Sequence, residues 1–83
     1  MKKMLLHNGK MVNALRWDGV NIEEVKEMVR ERLMQPHLCM GFLYLFIMTD
    51  EGIVQCNEGD WIAKDLDGNI TVITEEQLQA DGK

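Results

Sequence analysis

The chain contains no serine, a single proline and two cysteines among its 83 residues. The missing serine removes the hydroxyl nucleophile of Ser-His-Asp hydrolases. Cys39 and Cys56 are too few to predict a disulfide framework, and we expect both thiols to be reduced. A glycine-rich phosphate loop is also missing. The sequence therefore offers few of the patterns that indicate an enzyme, and we expect a protein that is not one.

Long hydrophobic runs are absent as well. The longest apolar stretch, residues 38–48, is much shorter than the ~20 residues of a membrane-spanning helix. The chain begins with Met1-Lys2-Lys3, and the apolar run that follows is too short for a signal peptide. These features predict one domain, residues 1–83, in a cytoplasmic protein that does not contact a membrane.

Basic residues are scarce in the second half of the chain. Residues 1–41 carry seven Lys/Arg against five Asp/Glu, whereas residues 42–83 carry two against nine. A protein that binds nucleic acid directly is expected to present a basic stripe, so this balance argues against that class. An acidic half repels nucleic acid, but it can dock on a basic protein surface.

Local signals predict the order β-β-α-β-β-β-β with a final helical turn. Asn8-Gly9 and Asp67-Gly68 each predict a hairpin turn. Residues 22–34 have helical periodicity, and Pro36 disfavours helix just before it. Residues 42–49 are apolar throughout most of their length, which predicts a central strand buried on both faces.

Capping signals refine the two predicted helices. Asn21 and Glu24 have capping-box spacing before the first helix. Thr74 and Gln77 have the same spacing before a short C-terminal helix that is expected to reach Ala80. The predicted fold is of the α+β class: a small antiparallel β-sheet of hairpins, with one α-helix packed on a face and a short C-terminal helix.

The carboxylates around Trp61 raise the possibility of a metal or acid-base site. Asp65-x-Asp67-Gly68 resembles the middle of a calcium loop, but the two terminal ligand positions hold Ala63 and Thr74. Asp60 and Asp65 lie at opposite ends of a predicted strand, about 16 Å apart at ~3.3 Å per residue, which is too far for an acid-base pair. Turn formation explains these residues better, and we expect no metal and no cofactor.

Softer ligands and nucleophiles offer weaker alternatives. His37, Cys39 and Cys56, with His7, would supply zinc ligands, but their spacing matches no common zinc pattern. His37 and Cys39 would share a strand face, yet no carboxylate is placed to orient the histidine. Trp17 and Trp61 are expected to be core residues, with a stacking surface as the alternative.

Two blocks of the chain carry a family resemblance. Residues 12–29 and 58–79 include a Val12-Asn13-Ala14 strand that ends near Trp17, an Asn21 helix start, and the turn-strand Gly59-Asp60-Trp61-Ile62. This pattern resembles a family of small phage and prophage proteins. Glu58 stands where the family has proline, and residues 30–48 are longer and more apolar than the family pattern. The resemblance implies a small accessory protein of a mobile element, and it implies no activity.

Three functions follow as hypotheses. The first is an inhibitor of a host protein, such as an anti-CRISPR or other anti-defence factor, whose partner would be a nucleic-acid-binding defence protein in the host cytoplasm. Its candidate contact residues are acidic: Asp50, Glu51, Glu58, Asp60, Asp65 and Asp67. The second is a protein that sequesters a nucleotide signal or other small ligand, through Arg16, Trp17, Trp61 and Lys64. The third is an interaction module without a further assigned role.

The apolar excess near Pro36 adds an expectation about assembly. Small domains often gain stability by oligomerising, and we expect a homo-oligomer here. The candidate contact residues are Met34, Pro36, Leu38 and Met40.

Overall fold

The computed structural model describes residues 2–7 and 9–77, and the side chains of residues 4, 6 and 9–77. Asn8, the His7 side chain and the predicted helix end near Ala80 lie outside this description. The helices and strands follow one another along the chain as β1 Lys2–His7, β2 Lys10–Arg16, α1 Ile22–Val29, a 3-10 turn Arg30–Arg32, β3 His37–Cys39, β4 Phe42–Thr49, β5 Gly52–Cys56, β6 Trp61–Asp65 and β7 Ile70–Ile73. A second helix begins at Glu75 and is described through Gln77.

The strands form two antiparallel sheets. One sheet has four strands in the order β1-β2-β6-β7, and the other has three in the order β3-β4-β5. The predicted α+β fold, a single sheet with one helix packed on a face, is therefore wrong. Strands dominate the structure, and the two sheets face each other across a shared core to which α1 contributes three buried residues. The order of elements along the chain agrees with the prediction.

Turn residues set the two predicted hairpins of the four-stranded sheet. β1 and β2 pair up to His7 and Lys10, and Gly9 takes a φ of +79°. Glycine adopts a positive φ of this kind at little steric cost, because it has no Cβ atom. β6 and β7 are joined by a loop in which the Asn69 carbonyl accepts a hydrogen bond from the Asp65 amide, and Gly68 has a φ of +89°. Both hairpin predictions are confirmed.

Helix α1 is shorter than the predicted span of residues 22–34. Its α-helical part ends at Val29, and Arg30, the first residue of the 3-10 turn, has a φ of +51°. The predicted capping box at its start is wrong, because the Asn21 side chain accepts from the Asp18 amide and donates to the Arg16 carbonyl. At its other end the Lys64 ammonium donates to the Met28 carbonyl at 3.2 Å, which satisfies a free carbonyl of the last turn.

The capping box at the second helix is confirmed. The Thr74 hydroxyl accepts from the Gln77 amide at 3.2 Å, and the Gln77 side chain accepts from the Thr74 amide at 3.0 Å. The two bonds satisfy backbone donors at the helix start reciprocally. The side chain of Glu75, the first residue of this helix, accepts a hydrogen bond from the Trp61 indole.

The main core fills the space between the two sheets. It combines β2, β6 and β7 with the inner face of the other sheet and with α1; its buried residues are Leu15, Trp17, Val25, Met28, Val29, Leu45, Ile47, Cys56, Ile62 and Ile70. The start of β4 is fixed to the four-stranded sheet by two hydrogen bonds at Leu43. The Trp17 indole donates to its carbonyl at 2.9 Å, and its amide donates to the Glu58 carboxylate at 3.0 Å.

The outer face of the four-stranded sheet is also buried. Val12, Ala14, Trp61, Ala63 and Ile73 form a second cluster there, and each is at most 6 % exposed. Ala14 and Ala63 are directly opposite each other across β2 and β6. Two small side chains at adjacent positions leave space for the large indole within the same cluster. The outer face of the four-stranded sheet is therefore buried at these five positions.

Candidate functional site

The outer face of the three-stranded sheet differs from that of the four-stranded sheet, because several of its large side chains are exposed to solvent. Along β4 the inward residues Leu45, Ile47 and Thr49 are buried. Alternation along the strands and the pairing register put a second set of residues on the outward side. We call this set the open face: His37, Cys39, Phe42, Tyr44, Phe46, Met48, Ile53 and Gln55.

Exposure of the open face contradicts the prediction that β4 is buried on both faces. Phe42 is 54 % exposed, Met48 47 % and Ile53 57 %, while Tyr44 and Phe46 are half-buried. β4 is central in its sheet, as predicted, but only its inner side packs against the core. The apolar run predicts burial on both sides of the strand, whereas the described residues of the chain bury its inner side only.

The open face carries no Asp, Glu, Lys or Arg. Charged side chains cluster elsewhere, with Arg32 and Asp50 paired at 3.6 Å at one end of β4. An uncharged face of this kind is unusual for a chain with a formal charge of −5. Exposed apolar faces of this size with a polar surround mark interaction sites.

The edge of this sheet is formed by residues 33–39. Leu33 makes a bridge to Ile47, and the Met34 amide donates to the Phe46 carbonyl at 2.8 Å. Pro36 interrupts the segment before β3 pairs with the start of β4. Proline has no amide hydrogen, so it makes this edge a poor template for a further strand. The face of the sheet, and not this edge, is the surface suited to contact.

The structure divides the predicted oligomer-contact residues between two sides of the sheet. All four are exposed, with Leu38 at 69 % and Met40 at 91 %. Met34 follows the inward Leu33 and so lies on the open-face side, whereas Leu38 is opposite Leu43 on the other side. Met40 occupies the β3–β4 turn. The sequence-based prediction did not include the exposed residues Phe42, Met48 and Ile53. The apolar run was the signal for Phe42 and Met48, while Ile53 lies in the next strand.

The predicted acidic contact residues do not form one surface. Asp50 and Glu51 lie in the β4–β5 turn, and Glu51 lines a cleft of about 270 Å³ together with Asp65. Glu58 and Asp60 precede β6, while Asp65 ends it. The acids are therefore divided between the two ends of β6, and basic side chains accompany those at one end: Lys10 lies 4.0 Å from Asp65.

Several of these carboxylates form local structure, as the turn interpretation predicted. Asp65 accepts from the amides of Asp67 and Asn69, each at 2.9 Å. These bonds, the one from Asn69 above all, hold the pKa of Asp65 below its ordinary value. Asp60 accepts from the Asn57 amide at 3.0 Å and closes the turn before β6. The amide-accepting carboxylates at these turns explain the acid-rich pattern around Trp61.

The alternative ligand-stacking residues are not brought together. Trp17 is fully buried in the main core, and Trp61 is 4 % exposed in the cluster on the other side of the four-stranded sheet. Neither indole presents a free ring face to a ligand. Arg16 is exposed, and Lys64 is committed to the end of α1. Lys64 lines a cleft of about 360 Å³ beside Asn13, Glu27 and Arg30.

The soft-ligand candidates are separated by the three-stranded sheet. His37 and Cys39 share the open face, as their spacing predicted, whereas Cys56 is buried on the inner side. Burial raises the pKa of the Cys56 thiol to about 12. Among residues 2–7 and 9–77, no three His, Cys, Asp or Glu side chains are grouped so that they would hold a metal ion.

The described part of the chain contains no helix that is long and apolar enough to cross a membrane. Comparison of the chain with protein families, with curated proteins and with solved structures gives no match. The resemblance to phage and prophage proteins thus stays a prediction.

Proposed function

We propose that the protein acts by binding another protein, and that the open face is its contact surface. The observation that carries this proposal is the exposure of Phe42, Met48 and Ile53 on one uncharged sheet face. Removing such a face from water is favourable by about 25 cal/mol for each Å² of apolar surface, and the affinity is what remains after the entropic cost of association. Aromatic and methionine side chains are the residues that interface cores favour.

The acidic residues have a smaller part in this proposal than the sequence predicted. They lie at two ends of β6, and the carboxylates of Asp60 and Asp65 accept hydrogen bonds from backbone amides of their own turns. Charge at the rim of an interface mainly steers approach and selects partners. We therefore assign Asp50 and Glu51, in the turn between β4 and β5, to that role, and the open face to the affinity.

The proposed class of target is taken from the resemblance to phage proteins. On that basis the partner is a host protein, with an anti-CRISPR or other anti-defence role in the host cytoplasm as the first version to test. Sequestration of a small ligand is less well supported, because both tryptophans that would stack on it are buried.

A photo-crosslinking residue at position 53 tests the proposal in the cell that encodes the chain. We expect crosslinked products heavier than the chain, identified by mass spectrometry as protein. The matched control is position 66, because Leu66 is 87 % exposed and apolar but lies in the β6–β7 loop. Equal yields at the two positions, or no protein product at position 53, would contradict the proposal.

A further inference from the structure

We infer that the open face is occupied by a second copy of the same chain, in a sheet-on-sheet homodimer. The inference rests on the proposed function, that the open face binds protein: the second copy covers this face when no host target is bound, and a host target would displace it. It begins from β4, whose sequence has the apolar character of a strand buried on both faces. In the part of the chain that the structure describes, the core covers only the inner face of β4, and we assign the cover of the other face to a second chain.

The lack of charged residues on the open face favours a second copy of the chain as its partner. Each chain has a formal charge of −5, so most contacts between two copies bring acidic groups together. The open face avoids this repulsion because none of its eight residues is an acid, a lysine or an arginine. In a two-fold dimer the same patch meets itself, and an uncharged patch satisfies that condition without paired opposite charges.

The area of the surface is sufficient for a dimer. Seven large apolar or aromatic side chains contribute from the open face and its rim: Met34, Met40, Phe42, Tyr44, Phe46, Met48 and Ile53. Because Tyr44 and Phe46 are half-buried, we take an average of about 90 Å² for each side chain, against the ~150–250 Å² that a whole aromatic side chain buries, and the total is on the order of 600 Å² per copy. This area lies at the lower end of the roughly 600–1,000 Å² that each partner contributes to a stable interface of standard size, which suits a dimer that dissociates on dilution.

The shape of the surface also suits a second sheet. Two sheets pack face to face at about 10 Å with their strands nearly aligned, and their side chains interdigitate. Phe42, Tyr44, Phe46 and Met48 form a row along β4, and Ile53 lies opposite Met48 on β5. Pairing through the β3 edge is disfavoured by Pro36, so face-to-face packing is the arrangement we infer.

Sedimentation velocity of the purified chain, from about 1 µM to about 1 mM, tests the inference. We expect a mass near twice 9.6 kDa at the upper concentrations and dissociation on dilution. Ile53→Glu puts a charge from each copy into the contact, and we expect it to weaken the dimer at least ~30-fold. Leu66→Glu adds the same charge at another exposed apolar position and should leave the dimer unchanged.

The outcomes separate this inference from the proposed function. A wild-type chain that stays monomeric throughout, or a dimer that Leu66→Glu weakens as much as Ile53→Glu, overturns the homodimer. If crosslinking at position 53 then yields a different protein, the proposed function stands without the homodimer. If position 53 yields neither a second copy nor another protein, both are wrong. Circular dichroism of Ile53→Glu checks that the variant is folded; should it unfold, Met48→Lys provides the same test at another exposed position.

Discussion

The outer faces of the two sheets differ in whether their large side chains are buried. On the four-stranded sheet, the outward Trp61 lies in a buried cluster with Ala14 and Ala63, and its indole donates a hydrogen bond to Glu75 of the second helix. The three-stranded sheet has large side chains at the equivalent positions, and Phe42, Met48 and Ile53 reach solvent. Large outward side chains are thus buried on one sheet and exposed on the other within the described part of the chain. The exposed row is the one that a second surface can bury.

The largest expected effect comes from removing the buried Trp61 ring on the outer face of the four-stranded sheet. Trp61→Ala should lower the free energy of unfolding by about 3–5 kcal/mol, because it empties a buried cluster. Phe42→Ala, the matched change on the open face, should alter it by no more than about 0.5 kcal/mol in dilute, monomeric protein. Urea denaturation measures both. Similar losses for the two variants would remove the distinction between the faces.

A smaller effect is expected when the covered face is overfilled. Ala63→Leu adds bulk within the cluster that holds the indole, and it should cost about 1–3 kcal/mol. Gln55→Leu adds the same apolar bulk on the open face and should leave the stability of the monomer nearly unchanged, while it strengthens self-association. Thermal unfolding at low concentration compares them. A neutral Ala63→Leu would mean that the cluster is not closely packed.

The smallest expected effect concerns pH and the turn at the end of the four-stranded sheet. The pKa of Asp65 is lowered in the folded state by hydrogen bonds from the Asn69 and Asp67 amides. Its stabilising contribution is therefore present above the ordinary pKa of 3.8 and is lost as the pH falls through the lowered value. Asp65→Asn keeps an acceptor oxygen for the turn but removes the titration.

Unfolding free energies between pH 7 and pH 2 measure this contribution. The gap between wild type and Asp65→Asn should close as the pH falls, and the variant should show a flatter acid limb. The control is Asp50→Asn in the β4–β5 turn, where the carboxylate is exposed and lies 3.6 Å from Arg32. An Asp65→Asn curve parallel to wild type would show that the turn does not depend on the carboxylate charge.

Local signals predicted local structure well. Gly9 and Gly68 marked hairpin turns because a positive φ is required there, and Thr74 with Gln77 marked a helix start. The Asn21 signal failed because a competing acceptor was nearby: the Asp18 carboxylate accepts from the amides of Val20 and Asn21. Spacing identifies which residues are able to cap, but not which neighbour competes for the same groups.

Local sequence signals did not predict which distant segments of the chain pair with each other. The number of sheets depends on β2 pairing with β6, about fifty residues later, and no turn specifies that contact. The sequence of β4 predicted an apolar strand correctly, but apolarity does not say what covers each side. The same holds for the candidate site. The spacing of the acidic residues is a local signal, whereas the open face can be identified only from the strand register, which shows on which side of the sheet each residue lies.

The central claim is that the open face is closed by a second copy, and the reactivity of Cys39 tests it most directly. Cys39 lies on the open face opposite Phe42, and its thiol is exposed. Cys56 is buried with a pKa raised to about 12, so labelling with an uncharged thiol reagent near pH 8 reports on Cys39 alone. The account predicts that labelling slows at least about tenfold as the concentration rises through the dimer range. A rate that stays the same at every concentration would contradict it.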